Sequence, residues 1–268
     1  MQEQIKKILR FYVLSNIHVA ASLVSLYLIF NKLFNFNYII FVFSATILTY
    51  SLIRMLSFGS NRFFIRRFYI KNKELIISLL LLFFISSSYS FIKLDILQKI
   101  WLIPFFLLSF FYNLNIKKIP FGKLRTNGIV KILIVALVWS GLIIIIPQLQ
   151  GFKNTQVLFH SIFVFIYILV LTMSFDQRDV LIDNPGLKTI PQIYKQHIHY
   201  FYAFFGLILI GLSFLIFTNY QGLLISNTII LLSIGLCFNS DKHKSFYYTA
   251  FWIEGLPILW LILIKLFV

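Results

Sequence analysis

Apolar residues run along this chain in long stretches of about 17 to 21 positions, enough to cross about 30 Å of hydrocarbon as helix. Polar residues gather in the gaps between them. The pattern predicts nine apolar helices, over 11–30, 38–56, 75–92, 96–114, 128–147, 155–175, 197–217, 221–238 and 247–266. A membrane β-barrel would show short alternating segments instead, and runs such as 75–82 and 143–146 do not alternate. Connections at 31–37, 93–95, 148–154 and 218–220 are short, while those at 57–74, 115–127 and 176–196 are long. No linker, soluble domain or low-complexity tail interrupts the sequence, so 1–268 reads as one all-α, polytopic transmembrane domain. The long connections after the second and sixth spans hint at a weak internal duplication.

Composition agrees with that pattern. The chain is 60% hydrophobic and only 12% charged, against about 25% charged in soluble domains. A net charge of +16 raises nucleic acid as a partner, but the cations lie in short connections between apolar runs, where they define membrane orientation. With the first segment starting inside, only Lys32, Lys93, Lys99, Lys153 and Lys265 fall outside; the remaining 19 of 24 Lys and Arg fall inside. This asymmetry predicts a cytoplasmic N-terminus and an outside C-terminus, with every long loop on the cytoplasmic face of a bacterial inner membrane. No small-residue cleavage site follows the first apolar run, which is expected to be retained. The single cysteine, Cys237, lies inside an apolar run and excludes an internal disulfide.

The chemistry concentrates at 176–183. Asp176, Asp179 and Asp183 are three of only eight acidic residues. Their spacings of 3 and 4 place them on one helical face. Carboxylates so placed repel unless a cation sits among them. Mg2+ commonly bridges one or two carboxylates to substrate phosphates. The ordinary alternative is an interfacial loop whose acids pair with Arg178 and Lys188. Asn184-Pro185-Gly186 follows as a turn, so the carboxylate helix is expected to stop and fold back.

Asp176, Arg178, Asp179 and Asp183, followed by Gly186, Lys188, Thr189 and Pro191 in the loop after the sixth of nine spans, resemble the second aspartate motif of the UbiA family of intramembrane prenyltransferases. A softer likeness is Tyr112-Asn113 followed by Lys117, Lys118, Pro120, Lys123, Arg125 and Lys131. It is similar to the basic segment that lies near the diphosphate in that family, and it also fits ordinary inside-positive charge. The resemblance implies Mg2+ on Asp176, Asp179 and Asp183. It implies diphosphate contacts from Arg178 and Lys188, with Lys117, Lys118, Tyr112 and Arg54 as further candidates. It also implies transfer of an isoprenoid group from a polyprenyl diphosphate to a lipophilic aromatic or quinone-precursor acceptor. The membrane lipid would be its surroundings and nucleic acid would play no part.

One departure stands against this. At the end of the second span the family carries a first motif similar to N-x-x-x-D-x-x-x-D. Here 49–61 contains no acid, and Arg54, Arg62, Arg66 and Arg67 cluster nearby. A catalytically degenerate lipid-binding or complex-forming subunit is therefore the alternative, and a small transporter a more distant one. Among polar residues within spans, Glu254 should face the bundle interior, either lining a cavity or paired to a neighbour. Asn16 and His18 are expected to hydrogen-bond between helices, and His197 and His199 to sit at the interface. Phe175, Tyr194 and Tyr50 are candidate cavity aromatics by their nearness to the charged loops.

Overall fold

A computed structural model of the protein describes residues 2–31, 34–56, 63–113, 127–149, 155–241 and 245–268, with backbone alone for 2, 56 and 111–113. Helices α1 (Gln2–Leu14), α2 (Ile17–Phe30), α3 (Phe36–Leu56), α4 (Phe63–Lys71), α5 (Lys73–Lys93) and α6 (Ile96–Asn113) make the first half. The second half holds α7 (Gly128–Ser140), α8 (Thr155–Asp179), the short α9 (Ile190–Ile193), α10 (Ile198–Ile216), α11 (Tyr220–Phe238) and α12 (Leu256–Phe267). No strand occurs among the described residues. Seven helical segments are long and apolar enough to cross a membrane, and α1 with α2 adds an eighth if that bent pair is counted as one. The chain is thus an integral membrane protein. Each of the nine apolar runs read from the sequence is helical, but α6 provides only a shorter apolar stretch, Ile96–Phe110, with Pro104 inside it.

Lipid is the counterpart of the outer surface. In α5 only 11% of the apolar window is buried, while Leu81, Leu82, Phe84 and Ile85 are exposed. In water such a surface would aggregate; in hydrocarbon it is matched. The inner surface is aromatic at its centre. Trp260 of α12 is wholly buried and meets Phe30 at 5.7 Å, Phe163 at 5.9 Å, Tyr167 at 5.6 Å and Phe217 at 6.0 Å between ring centroids. Edge and tilted geometries of this kind suit ring quadrupoles and join α2, α8, α10 and α12 around one point. Hydroxyls inside helices bond back one turn, as Thr46 does to the Val42 carbonyl (2.7 Å) and Ser226 to that of Gly222 (2.7 Å). They therefore leave few polar groups needing partners in an apolar surround. Cys237 is a buried core residue, as its position in an apolar run implies.

Three irregularities interrupt the regular helices. The first is at Asn16, which adopts a left-handed conformation (φ 67°) and bends α1 from α2 by 63°. Its buried Nδ2 donates to Ser51 Oγ (2.9 Å) and to the Tyr69 hydroxyl (3.2 Å). The Leu14 carbonyl freed by the bend accepts from Arg54 NH1 (2.8 Å). Asn is among the few non-glycine residues that tolerate this backbone, and its side chain ties the bend to α3 and α4. The second is a π-helical turn at Gly141–Ile145. There the Phe105 ring lies where a Cβ on Gly141 would be, at 2.1 Å, so α6 approaches α7 closely only because this residue is glycine. The third is a π-helical segment, Tyr248–Ile253, before α12. It presents the Phe251 carbonyl to Nε2 of His18 at 3.0 Å, with the two rings stacked at 5.1 Å. Asn16 and His18 thus make the interhelical hydrogen bonds the sequence led us to expect.

The bend at Asn16 gives a direct test. Asn16→Gly keeps the backbone freedom and loses two buried hydrogen bonds, a cost of about 1–3 kcal/mol. Asn16→Ala loses those bonds and adds about 1–2 kcal/mol of left-handed strain. Thermal unfolding in detergent should rank wild type above Asn16→Gly above Asn16→Ala. Equal melting of the two variants would mean that the left-handed backbone contributes nothing.

Candidate functional site

A group of charged side chains gathers at one end of the bundle. Arg54 comes from the last turn of α3, Lys131 from the first turns of α7, and Asp176, Arg178 and Asp179 from the end of α8. Glu254 follows the π-helical segment before α12. α8 ends at Asp179, and the chain continues as a helical turn in which the amides of Ile182 and Asp183 both reach the Asp179 carbonyl (2.8 Å each). Asn184 then caps a short 3-10 turn, Pro185–Leu187, through its side chain to the Gly186 amide at 2.9 Å. The chain folds back there as expected, but the helix itself stops at Asp179, so Asp176 and Asp179 lie on it and Asp183 follows in the turn. At the other wall, Asn127 caps α7 by accepting from the amides of Ile129 (3.0 Å) and Val130 (3.3 Å). Gly128 sits so close to Thr189 that a Cβ would come within 2.6 Å of its Cα. This contact presses the 184–189 return against the start of α7, beside Lys131.

These elements enclose a cavity of about 670 Å3. All three aspartates line it, together with Arg54, Arg66, Lys131, Arg178 and Glu254 at the charged end. Its body is apolar and aromatic, with Phe41, Tyr50, Trp139, Phe175 and Phe246 in the wall. Trp139 Nε1 donates to the Tyr50 hydroxyl at 3.2 Å. Leu142 lines the far part, eleven residues along α7 from Lys131 or roughly 16 Å by helical rise. A second cavity of about 360 Å3 shares Phe41, Ala45, Thr49, Ser109, Val138 and Leu142 with the first and continues between α3 and α6.

Four of these charges are matched in two ion pairs. Lys131 Nζ bonds Asp176 Oδ1, with the aspartate buried and the lysine partly exposed. Arg178 grips Asp179 with both arms of its fork, Nε to Oδ1 at 2.9 Å and NH2 to Oδ2 at 2.7 Å. Its remaining arm, NH1, donates to Thr249 Oγ1 and to the Phe246 carbonyl (3.3 Å). The guanidinium lies over the rings of Phe246 (4.9 Å) and Phe175 (5.5 Å). A planar, weakly hydrated cation that bonds bidentately and stacks on aromatics is suited to such a site, and lysine is no substitute for it. Glu254 lines the same cavity as Arg54 and Arg178, so of its two expected roles it takes the cavity-lining one.

The sequence-derived candidates separate on this geometry. Asp176, Asp179, Asp183, Arg178 and Arg54 converge on one cavity, and Tyr50 and Phe175 join them. Lys188 does not: it is exposed, stands in a left-handed conformation (φ 50°) after the 3-10 turn, and is not in the cavity wall. Tyr194 packs on Phe201 at 5.1 Å and also stays outside. Arg178 gives four of its five N–H donors to Asp179, Thr249 and the Phe246 carbonyl, so it chiefly organises the site from within the wall. Lys117 and Lys118 lie outside the described residues, as does the side chain of Tyr112. Lys131, grouped in the sequence only with a basic run, proves to be the partner of Asp176, and Thr249 carried no signal at all.

Among the described residues no group of three or more His, Cys, Asp or Glu side chains forms a metal cage. Both oxygens of Asp179 are occupied by Arg178, which narrows the expectation of three carboxylates around one ion. One acceptor does stand open: Oδ2 of Asp176 is buried with no hydrogen-bond partner. With Asp183 also in the cavity wall, the residues present fit a Mg2+ that draws the rest of its shell from phosphate and water, as that ion commonly does. They do not fit a closed protein cage. Comparison of the chain with protein families, with curated proteins and with solved structures gives no match.

The Lys131–Asp176 pair makes a prediction. Removing the cation alone, as Lys131→Gln, leaves a buried carboxylate uncompensated and should destabilise by about 3 kcal/mol, the low end for a buried pair because the lysine is partly exposed. The double variant Lys131→Gln with Asp176→Asn should regain most of that loss. Detergent thermal melts of the four species of this cycle measure the coupling, and additive single effects would show that the pair is energetically idle.

Proposed function

We propose that the protein is a UbiA-like intramembrane prenyltransferase. It would move an isoprenoid group from a polyprenyl diphosphate to a lipophilic aromatic or quinone-precursor acceptor, with Mg2+ as cofactor. In this reading all nine apolar helices span, the N-terminus is cytoplasmic and the C-terminus outside. The charged end of the cavity then opens to the cytoplasmic face of a bacterial inner membrane. The observation that carries the proposal is the cavity itself: acids and cations at one end, an aromatic apolar body behind them, and a continuing apolar annex.

The chemistry asks for those parts in that order. The allylic carbon–oxygen bond breaks with its electron pair leaving on diphosphate, the allylic fragment becomes a delocalised cation, and an acceptor ring carbon captures it and then loses its proton to water or to the released diphosphate. Bound Mg2+ would supply charge for the leaving diphosphate. Asp176 and Asp183 would hold it, the first through its open Oδ2. Asp179 fixes Arg178 in the wall, and Arg54 and Lys131 place positive charge where phosphate oxygens would lie. Tyr50, Trp139 and Phe175 exclude water from the allylic cation and offer ring faces to it. The annex would take the hydrocarbon chain.

A second reading, a catalytically degenerate lipid-binding or complex-forming subunit, is favoured by one observation. Arg54 stands where an acid-bearing motif is expected, and its NH1 is engaged by the Leu14 carbonyl. One assay separates the two. Purified protein with Mg2+, an allylic diphosphate and a panel of aromatic acceptors should release diphosphate and form prenylated product, with Asp176→Asn or Asp183→Asn lowering the rate by at least a hundredfold. EDTA should abolish release. Binding of the diphosphate without release, across the whole acceptor panel, would leave the subunit reading standing and end the enzymatic one.

A further inference from the structure

Two amphipathic helices stand beside the mouth of the cavity and form a small structure of their own. Phe11 and Leu14 of α1 pack against Ile65, Phe68 and Tyr69 of α4, a core separate from the main one. Phe11 and Phe68 meet at 5.9 Å. Ile65 and Arg66 of α4 also line the cavity, so this pair borders its charged end. The bend of 63° at Asn16 turns α1 away from α2. Membrane-crossing helices tilt by about 20° on average, so α1 would lie about 43–83° from the membrane normal, nearer the plane over almost all of that range.

The outer faces of the pair carry two kinds of side chain. On α1 the cations Lys6, Lys7 and Arg10 fall within one arc of the helix, and Ile5 and Ile8, 57% and 69% exposed, fall on another. On α4 the exposed cations are Arg66, Arg67 and Lys71, beside exposed Phe63 and Ile70. Only Glu3 opposes them in charge on these two helices. Cations that merely orient a membrane protein need no apolar neighbours on the same helix. A basic arc beside an unpartnered apolar arc, on a helix lying in the plane, is the pattern of an interfacial helix. Its apolar side enters the acyl boundary and its charges meet anionic headgroups.

We propose that α1 and α4 form an interfacial collar that binds anionic phospholipid at the mouth of the cavity. The occupant is the lipid surface, chosen by charge complementarity on six cations and by the exposed apolar side chains set among them. The collar holds anionic amphiphiles next to Arg66 and Arg54, whatever reaction the cavity performs, and it does not rest on the prenyltransferase reading.

The test uses the full chain in nanodiscs of phosphatidylcholine alone or of phosphatidylcholine with phosphatidylglycerol at a 7:3 ratio. Competition between spin-labelled phosphatidylglycerol and phosphatidylcholine for the protein-bound fraction should favour the anionic lipid. The triple variant K6Q/K7Q/R10Q should reduce that preference, by on the order of fivefold for each cation lost. The control K99Q/K265Q, at the opposite end of the helices, should leave it unchanged. A nitroxide at Ile8→Cys, with native Cys237 buried, should reside at the acyl boundary. No preference for phosphatidylglycerol in the wild type, or a preference that survives the triple variant, would overturn the proposal. So would a label at residue 8 that stays in water in both lipid mixtures, an outcome that would assign the face to a soluble partner.

Discussion

Arg178 and Asp179 are chain neighbours whose side chains close a two-bond fork inside a membrane bundle, and the charged end of the structure is arranged around that fork. An arginine there cannot shed its proton, and its donors need partners in a medium that offers little water. Asp179 meets two of the five, Thr249 and the Phe246 carbonyl meet two more, and two aromatic faces cover the plane. The result locks the end of α8 to the segment before α12, far away in sequence. That lock holds Phe246, Ala250 and Glu254 in the cavity wall. Breaking it by removing one partner would leave a charge uncompensated in a poorly solvated place.

Two further pairings obey the same constraint. Lys131 meets Asp176, and Arg54 meets a carbonyl that the bend at Asn16 has released. The irregular backbone therefore does more than interrupt helices. The bend at Asn16 frees the Leu14 carbonyl for Arg54, and the π-helical turn at Gly141–Ile145 offers the Leu142 carbonyl to the Tyr38 hydroxyl (2.6 Å) and that of Ile143 to Asn31 Nδ2 (2.8 Å). His18 anchors on the Phe251 carbonyl, which also accepts from the Gly255 amide (3.0 Å). Helices in lipid gain little from hydrophobic association with each other, so packing and hydrogen bonds of this kind carry more of the specificity. The cavity survives among them because its walls are held by anchors at the charged end and by the Trp260 ring cluster deeper in the bundle.

Much of this architecture was legible in the chain. The helices, their approximate limits and the turn at Asn184–Gly186 follow from local pattern: a run of apolar residues long enough to cross hydrocarbon has little alternative to helix, and a Pro-Gly pair turns the chain, although α8 has already ended at Asp179. The clustering of Asp176, Asp179 and Asp183 at one end of α8 was legible for the same reason, as was the inward position of Glu254. Less legible was the state of those carboxylates. Spacing placed them on a face, yet it did not show that Asp179 is consumed by its own neighbour while Asp176 keeps one oxygen open.

What the sequence by itself determined is thus the solvent of this protein and its secondary structure, because transfer of a side chain into hydrocarbon and hydrogen bonding within a helix are local energies. What only the tertiary structure decided is which charge meets which. Lys131 reaches Asp176 across 45 residues and Arg178 reaches Thr249 across 71. Lys188, close in sequence to the acids, is exposed and outside the cavity wall, in a left-handed conformation after the 3-10 turn. Pairing of this kind depends on the distance between helices once they pack, and a linear pattern carries no measure of that distance.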